Sequence, residues 1–349
     1  MRVGMLLNYA GGFREVADEA VELERAGVDL IAVPEAYSFD AVSQLGYLAA
    51  RTERMTLMSG ILQLYTRTPT LTAMTAAGLD FVSDGRFELG IGASGPQVVE
   101  GFHGVRYDAP VARTAELIEV CRQVWRREPV IHQGRHYRIP LPADEGTGLG
   151  KPLKLINHPV RASIPITVAA LGPKSVEQTA EIADGWLPMF FHPERAQEVW
   201  GEALAAGRAR RSGDLAPLDV FASPALAITD RPELQAAALA AVKPQLALYV
   251  GGMGAKGKNF YNDLIASYGF AAEAERIQEL FLAGRREEAV QAVPDELVRA
   301  ISLIGSAGEV AERVAAFAGA GVTTLTVTPL ARDSGERVAL MTGLRRIVG

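Results

Sequence analysis

The 349-residue chain has little of the residue types that build several classes of site. It contains one cysteine, Cys121, so no internal disulfide can form, and its five histidines show no zinc-ligand spacing. No apolar run reaches the ~18 residues that a membrane helix needs, and the N-terminus lacks the apolar core of a signal peptide. With a net charge of −6, the chain also lacks the basic stripe of a nucleic-acid-binding protein. These absences predict a cytoplasmic protein with no metal site, no membrane partner and no nucleic-acid partner.

What the chain does have is a regular alternation of short apolar runs and helical periods. The first three runs begin near residues 3, 29 and 55, a spacing of 26 that is typical of βα units in a parallel sheet. Eight strands are predicted in all, at residues 2–7, 29–33, 55–59, 86–92, 165–170, 184–188, 218–229 and 322–328. Eight such units predict one (β/α)8 TIM-barrel domain over residues 1–349. An open doubly wound sheet is the alternative.

Two stretches are longer than a βα unit requires. Residues 129–140 predict a hairpin inserted after strand four, and residues 232–300 predict a helical insertion after strand seven. Helix starts are marked by a Thr-Pro pair and by two capping-box spacings: Thr68-Pro69, Ser175 with Gln178, and Ser306 with Glu309.

The residues that follow each strand of a barrel ring its C-terminal mouth, where active sites form. At these positions the sequence is mostly apolar, and Glu35 is the only acid directly behind a predicted strand. Such a mouth suits the binding of a large planar ligand better than the catalysis of hydrolysis. Apolar loops that only cover the core are the alternative, because they would have the same sequence pattern. His103, downstream of strand four, either donates a hydrogen bond or a proton or is a loop histidine bonded to backbone.

The junction between strand five and the next helix has the form of an anion site. It contains Gly172 and Lys174, and a glycine at a helix N-terminus leaves backbone N–H groups free to bind phosphate or carboxylate. Ordinary turn geometry is the alternative. The glycines from Gly90 onward have the spacing of a dinucleotide fingerprint, but they follow the fourth strand and Pro96 intervenes, which disfavours a Rossmann site. Cys121 lies on the apolar face of a helix and is predicted to be a core residue.

Several segments share their pattern with one known family. They are FVSDGRFELGIG at 81–92, SGPQVVEGFHG at 94–104, GILQ at 60–63, TRTP at 66–69, ADGWLP at 183–188 and ALYVGGMG at 247–254. Together they resemble the bacterial-luciferase-like (LLM-class) oxidoreductases that use the deazaflavin coenzyme F420. The resemblance extends from the first strand to Pro329, and relatives on the same fold use FMN.

The resemblance implies a set of site residues. A non-proline cis peptide at Gly60-Ile61 would back the deazaflavin ring, the loop after strand five would hold the phosphate, and Glu35 stands where many members have Asp. Coenzyme contacts are expected from Leu7, Glu35, Ser59, Gly60, Ile61, Gln63, Ser94, Ala170, Leu171, Gly172, Pro173 and Lys174. Residues expected to position the ring or move a proton are Glu35, Tyr37 and His103. Residues expected to line the substrate side are Asn8, Tyr9, Gln97 and Phe191.

The activity that the resemblance implies is hydride transfer between coenzyme F420 and a small organic substrate, such as an alcohol or carbonyl compound, an enone or an imine. An FMN-dependent monooxygenase on the same barrel is the alternative, and a relative that has lost catalysis and only binds flavin or partners is a third. Family members are often dimers, so a homodimer is expected. The net charge of −6 does not exclude an anionic coenzyme, because backbone dipoles and Lys174 act locally.

Overall fold

A closed parallel sheet forms the centre of the computed structural model, which describes residues 1–7, 13–254 and 256–349. Each of eight strands bonds to the next in chain order, and the eighth bonds to the first. These barrel strands are β1 Arg2–Leu6, β2 Leu30–Val33, β3 Thr56–Ser59, β4 Phe87–Gly92, β5 Ile166–Ala169, β6 Gly185–Leu187, β7 Asp219–Ala222 and β8 Thr324–Pro329. The predicted (β/α)8 TIM barrel is confirmed, and the open doubly wound sheet is excluded.

Helices alternate with the barrel strands and bury their apolar faces against the outside of the barrel. In the described ranges the α-helices are Phe13–Arg25, Ala41–Ala49, Pro69–Val82, Pro96–Gly101, Pro110–Trp125, Pro173–Ile182, Pro193–Arg210, Pro232–Gly252, Phe260–Ile265, Ala271–Leu282, Arg286–Gln291, Asp295–Ala300, Ala307–Gly319 and Ser334–Val348. A 3-10 turn at Ala143–Glu145 and a π-helical turn at Ala266–Phe270 complete the helical structure there. No helix in these ranges is long and apolar enough to cross a membrane.

Two of the three predicted helix starts are confirmed. The Thr68 hydroxyl accepts the Leu71 N–H at 3.2 Å, and Ser306 forms a reciprocal capping box with Glu309. The capping box at Ser175 is wrong. That helix begins at Pro173, so Ser175 lies inside its first turn, where its hydroxyl donates to the Gly172 carbonyl at 2.8 Å.

The strand predicted at 218–229 is two strands in the structure. β7 ends at Ala222, and Ala225–Ile228 forms a separate strand that pairs with the end of β8 and with the short strand Leu303–Gly305. Pro224 lies at the break, because proline has no N–H to donate to a ladder. The stretch predicted as helical at 232–300 is confirmed as helical and contains five α-helices.

The hairpin predicted at 129–140 is present as the antiparallel pair His132–Gln133 and Arg138–Ile139. Its residues lie between β4 and β5, and the five helices lie between β7 and β8. That both segments are insertions into a simpler barrel stays a prediction.

Charged side chains close the interior of the barrel at the amino ends of the strands. Arg2 reaches across the barrel, with Nη1 2.6 Å from Glu88 Oε1 and Nη2 2.5 Å from Asp219 Oδ2. Above this network the interior is filled by four apolar side chains from three strands: Leu30, Ala32, Met58 and Phe221. The carboxyl ends of the strands are therefore the end of the barrel at which a ligand can enter.

β3 and β4 approach each other so closely that only glycine fits at position 90. The Ser59 hydroxyl bonds both the N–H and the carbonyl of Gly90, each at 2.9 Å. A Cβ at position 90 would lie 1.8 Å from the Ser59 carbonyl oxygen, which is backbone and cannot move aside. This close contact positions the segment that follows β3.

We expect Gly90→Ala to separate β3 from β4 and to lower the free energy of unfolding by ~3 kcal/mol or more. The matched control is Gly46→Ala, because Gly46 lies in the helix Ala41–Ala49 with nothing within 4 Å of the added Cβ. In the helix, alanine in place of glycine is expected to stabilise by up to ~1 kcal/mol. Denaturant unfolding of both variants checks this, and equal stability of the two would contradict the close contact.

Candidate active site

The segment after β3 forms a bulge at the mouth of the barrel. The Gly60-Ile61 peptide is cis, as the resemblance implied. The Gly60 N–H donates to the Val33 carbonyl at 2.8 Å, and beyond the bulge the short strand Leu62–Gln63 rejoins β4. A Cβ at Gly60 would lie 3.2 Å from the Ala32 Cβ, so the bulge rests directly on β2. It offers a backbone surface between β2 and β4.

Ser59 and Gln63 are two predicted coenzyme contacts beside the bulge. They differ in whether a polar side-chain atom remains without a hydrogen-bond partner. Ser59 is fully buried and its hydroxyl bonds Gly90, so this side chain holds β4 rather than a ligand. Gln63 is 2% exposed, and its Nε2 donates to the Ala36 carbonyl at 2.8 Å. The Gln63 Oε1 is buried and has no partner within the described residues. A buried acceptor of this kind is a candidate contact for a ligand N–H.

Glu35 braces the loops around the bulge. Its Oε1 lies 2.6 Å from Arg67 Nη1, and its Oε2 accepts from Arg67 Nη2 at 2.9 Å and from the Ala41 N–H at 3.0 Å. Both side chains are largely buried, at 8% and 14% exposure. With both carboxylate oxygens bonded, the arrangement favours a positioning role for Glu35 over a proton relay.

Arg67 is the residue of this site that sequence reasoning missed. In the sequence it stands out only as part of the TRTP segment at 66–69. The available signal was Glu35 itself, because an acid in a mostly apolar loop requires a cation nearby.

Tyr37 and His103 come together through an aromatic residue that was not predicted, Phe102. Tyr37 is 61% exposed, and its ring lies 6.2 Å from that of Phe102. The His103 ring meets Phe102 edge-on at 5.1 Å, and His103 Nε2 is buried with no partner in the described part of the chain. Packing thus holds the imidazole, and its Nε2 is buried rather than open to solvent.

The loop after β5 is fixed by two indoles. Trp186 Nε1 donates to the Ala170 carbonyl at 2.9 Å, and Trp200 Nε1 donates to the Leu171 carbonyl at 3.0 Å. Gly172 then caps the helix Pro173–Ile182 without any side-chain bond to its first N–H groups. A rigid loop that ends in an uncapped helix N-terminus suits an anion, and the exposed Lys174 adds positive charge.

The two phenylalanines after β6 point in different directions. Phe191 is 3% exposed and packs against Trp186, Trp200 and Phe317 in the core, so its predicted place on the substrate side is wrong. Phe190 adopts a φ of 54°, and its carbonyl accepts the Tyr268 hydroxyl at 2.9 Å.

The ring of Phe190 belongs to a second aromatic group. It meets Tyr249 at 5.5 Å and Tyr261 at 6.2 Å, and Tyr249 and Tyr261 lie 4.8 Å apart. Burial raises the pKa of Tyr249, and the neighbouring Tyr37 raises that pKa further. Gln97, from the helix that precedes Phe102, donates to the Gly252 carbonyl at 3.4 Å at the end of the helix that carries Tyr249, so the segments bearing the two groups are in contact.

The remaining predicted residues are placed as follows. Leu7 is buried, and its N–H donates to the Ala32 carbonyl at 2.9 Å. Ser94 has a φ of 58° in the loop after β4, and Gln97 Nε2 donates to the Gly252 carbonyl at 3.4 Å. Asn8 and Tyr9 lie outside the described residues.

A cleft of about 600 Å³ opens beside the mouth, on the outer side of Arg67. Its lining is cationic and aromatic: Leu64, Tyr65, Thr66, Arg67, Thr68, Pro69, Val105, Arg106, Asp108, Arg113 and Tyr137. It includes neither the bulge nor the loop after β5, so it adjoins the candidate site without being part of it.

We expect Arg67→Met to cost ~3–5 kcal/mol of unfolding free energy, because Glu35 would stay buried without its cation. Arg67→Lys should cost less, since an ammonium keeps the charge but loses the bidentate geometry. In the double variant Glu35→Gln/Arg67→Met most of the loss should return, because no buried charge remains. Urea unfolding of the wild type, Glu35→Gln, Arg67→Met and the double variant gives the coupling energy, and additive losses would show that the pair is not coupled.

Comparison with known proteins identifies relatives along nearly the whole chain. A family model described as luciferase-like monooxygenase matches residues 1–324. A protein of Mycobacterium tuberculosis named as a coenzyme F420-dependent oxidoreductase is 44% identical over 334 residues, 94% of this chain and 95% of that protein. The 5,10-methylenetetrahydromethanopterin reductase of Archaeoglobus fulgidus is 28% identical over 328 residues, 91% of this chain and 90% of the reductase.

Solved structures show the same fold. The coenzyme F420 dependent tetrahydromethanopterin reductase from Methanopyrus kandleri superposes with a TM-score of 0.80 at 22% identity, covering 98% of this chain and 97% of that one. Together with the family match over residues 1–324, the barrel and its bulge lead to one conclusion: the chain belongs to the luciferase-like monooxygenase family.

Proposed function

We propose that this chain is an oxidoreductase that transfers a hydride between the deazaflavin coenzyme F420 and a small organic substrate of the alcohol/carbonyl, enone or imine type. The observation that carries the proposal is the 44% identity, over 94% of the chain, to a protein named as a coenzyme F420-dependent oxidoreductase. When bound, the deazaflavin supplies a carbon that gives or takes a hydride. The protein supplies binding, orientation and a proton.

The residues of the mouth fit such a coenzyme. The Gly60-Ile61 bulge provides a backbone surface against which a planar ring can lie, and the unpartnered Gln63 Oε1 can accept an N–H from the ring. A Cβ at Gly172 would meet only the Ser175 hydroxyl, at 3.8 Å, so the helix N-terminus is open to a phosphate. Lys174 adds charge to that end.

The proton is assigned to His103. Its Nε2 is buried without a partner in the described residues, and histidine is the side chain that most often serves as a general acid or base. Reduction of a carbonyl places a hydride on carbon and a proton on oxygen, and His103 would deliver that proton to the oxygen. Glu35 and Arg67 would hold the loop that carries Tyr37.

We expect coenzyme F420 to bind the purified protein and to be reduced or oxidised with turnover of a substrate, and FMN to bind weakly or not at all. Gly172→Asp should weaken F420 binding at least ~10-fold, because a carboxylate would occupy the phosphate position. Gly213→Asp is the matched control, since Gly213 lies in a remote turn with nothing within 4 Å of its Cβ.

Fluorescence titration with each coenzyme measures these affinities. Preferential binding of FMN would replace the proposal with the FMN-dependent monooxygenase. Equal loss of F420 affinity in both variants would remove the phosphate assignment. Binding of F420 without hydride transfer to any acceptor would support a protein that has lost catalysis.

We also propose that the protein is a homodimer that uses the outer face of the helix Pro69–Val82. This face exposes large apolar side chains, with 46%, 53%, 69% and 56% exposure at Leu71, Met74, Phe81 and Val82. The one ionisable residue of the helix, Asp80, is buried and pairs with Arg161, so the face carries no charge. Uncharged apolar faces of this kind mark association surfaces, and a second copy offers the same face.

We expect Met74→Glu to shift the protein from dimer to monomer, because two carboxylates would face each other across a two-fold interface. Leu282→Glu is the control, since Leu282 is 54% exposed at the end of another helix. Sedimentation velocity over a range of concentrations distinguishes the two states. A wild-type monomer, or identical behaviour of the two variants, would contradict this interface.

A further inference from the structure

Five aromatic side chains from separate segments surround the mouth, and we call them the aromatic frame: Tyr37, Phe102, Phe190, Tyr249 and Tyr261. Tyr37 follows β2, Phe102 caps the helix Pro96–Gly101, and Phe190 follows β6. The other two come from the helices between β7 and β8. Neighbouring rings within each group lie 4.8–6.2 Å apart.

The frame spans the mouth rather than lying on one side of it. Tyr37 is close enough to Tyr249 to act electrostatically on its hydroxyl. Gln97 links the same two sides, with its Nε2 3.4 Å from the Gly252 carbonyl oxygen. The loops after β2, β4 and β6 and the segment between β7 and β8 therefore contribute to one surface.

Two members of the frame are far more exposed to solvent than is usual for large aromatic side chains. Tyr37 and Phe102 are 61% and 65% exposed although their rings touch, in a chain with only 7% aromatic residues. Large aromatic rings left in water next to a concave site mark a surface that a ligand covers. The frame itself offers such a ligand no side-chain cation, and the nearby polar group without a partner in the described residues is His103 Nε2.

We propose that the aromatic frame selects the substrate, and that its substrates are carbonyl compounds or alcohols whose body is aromatic. The body would stack on Phe102 and Tyr37, and the single oxygen would reach His103 Nε2. Phe102 is the specificity-determining residue, because its ring contacts both Tyr37 and His103. Sugar phosphates are disfavoured, since the frame cannot neutralise their charge. This inference rests on the proposed function and narrows its substrate class.

The test compares two ketones that share one reacting group and differ in their bodies, acetone and acetophenone, with the full-length protein and reduced F420. We expect kcat/KM to be at least ~10-fold higher for acetophenone, and Phe102→Ala to remove most of this preference by raising KM. Because Phe102 also packs against His103, kcat for both ketones is expected to fall in this variant, so the preference is measured as the ratio of their kcat/KM values. Phe102→Tyr should keep the preference, because the ring remains.

Leu149→Ala is the control for loss of an exposed apolar side chain, since Leu149 is 84% exposed in the segment between the hairpin and β5. Thermal unfolding of each variant establishes that it is folded. Acetophenone binding to the protein without coenzyme, measured by calorimetry for the wild type and Phe102→Ala, gives a second readout that does not depend on turnover.

The outcomes separate this inference from the function on which it rests. Binding of F420 and turnover of acetone with no preference for acetophenone, or an unchanged preference in Phe102→Ala, would overturn the role of the frame and leave the proposed function standing. Failure to bind F420 would overturn the proposed function. In that case the calorimetry still tests the aromatic frame by itself. Equal binding of acetophenone by the wild type and Phe102→Ala would overturn the role of the frame.

Discussion

The closure of the sheet is the constraint on which the rest of this structure depends. Residues 2–5 of β1 pair in parallel with residues 324–327 of β8, at the opposite end of the chain. Because every strand runs in the same direction, closure brings all the carboxyl ends to one ring. Segments as distant in sequence as the β3 bulge and the loop after β6 then surround a single mouth. Arg2, Glu88 and Asp219 close the barrel with charged side chains at the amino ends of the strands. The carboxyl ends stay open.

Within that ring, backbone and buried polar contacts do most of the positioning. The close approach of Ser59 and Gly90 sets the start of the bulge, and two tryptophan indoles fix the carbonyls of the loop after β5. The Glu35–Arg67 pair ties the loop after β2 to the start of the helix Pro69–Val82. Gln63 Oε1 and His103 Nε2 are two of the buried polar atoms without partners in the described residues, and both are candidate contacts for a ligand. Such a division is typical of a site that binds a cofactor and adds little chemistry of its own.

Glu35 stands where the resemblance places an aspartate in many members of the family. Its side chain bonds both Arg67 and the Ala41 N–H, so one carboxylate bridges two elements. A residue bonded in this way fixes the loop that also carries Tyr37. The exposed aromatic rings beside it then become the variable part of the mouth, where a family with one fold can differ in substrate.

The sequence by itself determined the barrel, because the βα spacing and the helix caps at Thr68 and Ser306 are local properties. The resemblance located the bulge at Gly60-Ile61, and the glycine before a helix pointed to the loop at Gly172. Only the tertiary structure decided the pairing of Glu35 with Arg67, the burial of the Ser59 hydroxyl and the opposite directions of Phe190 and Phe191. These depend on contacts between distant segments, and at Phe190 on a backbone φ of 54° that no side-chain periodicity reveals. For the same reason the sequence did not single out Phe102, because its role comes from a contact with Tyr37, which follows a different strand.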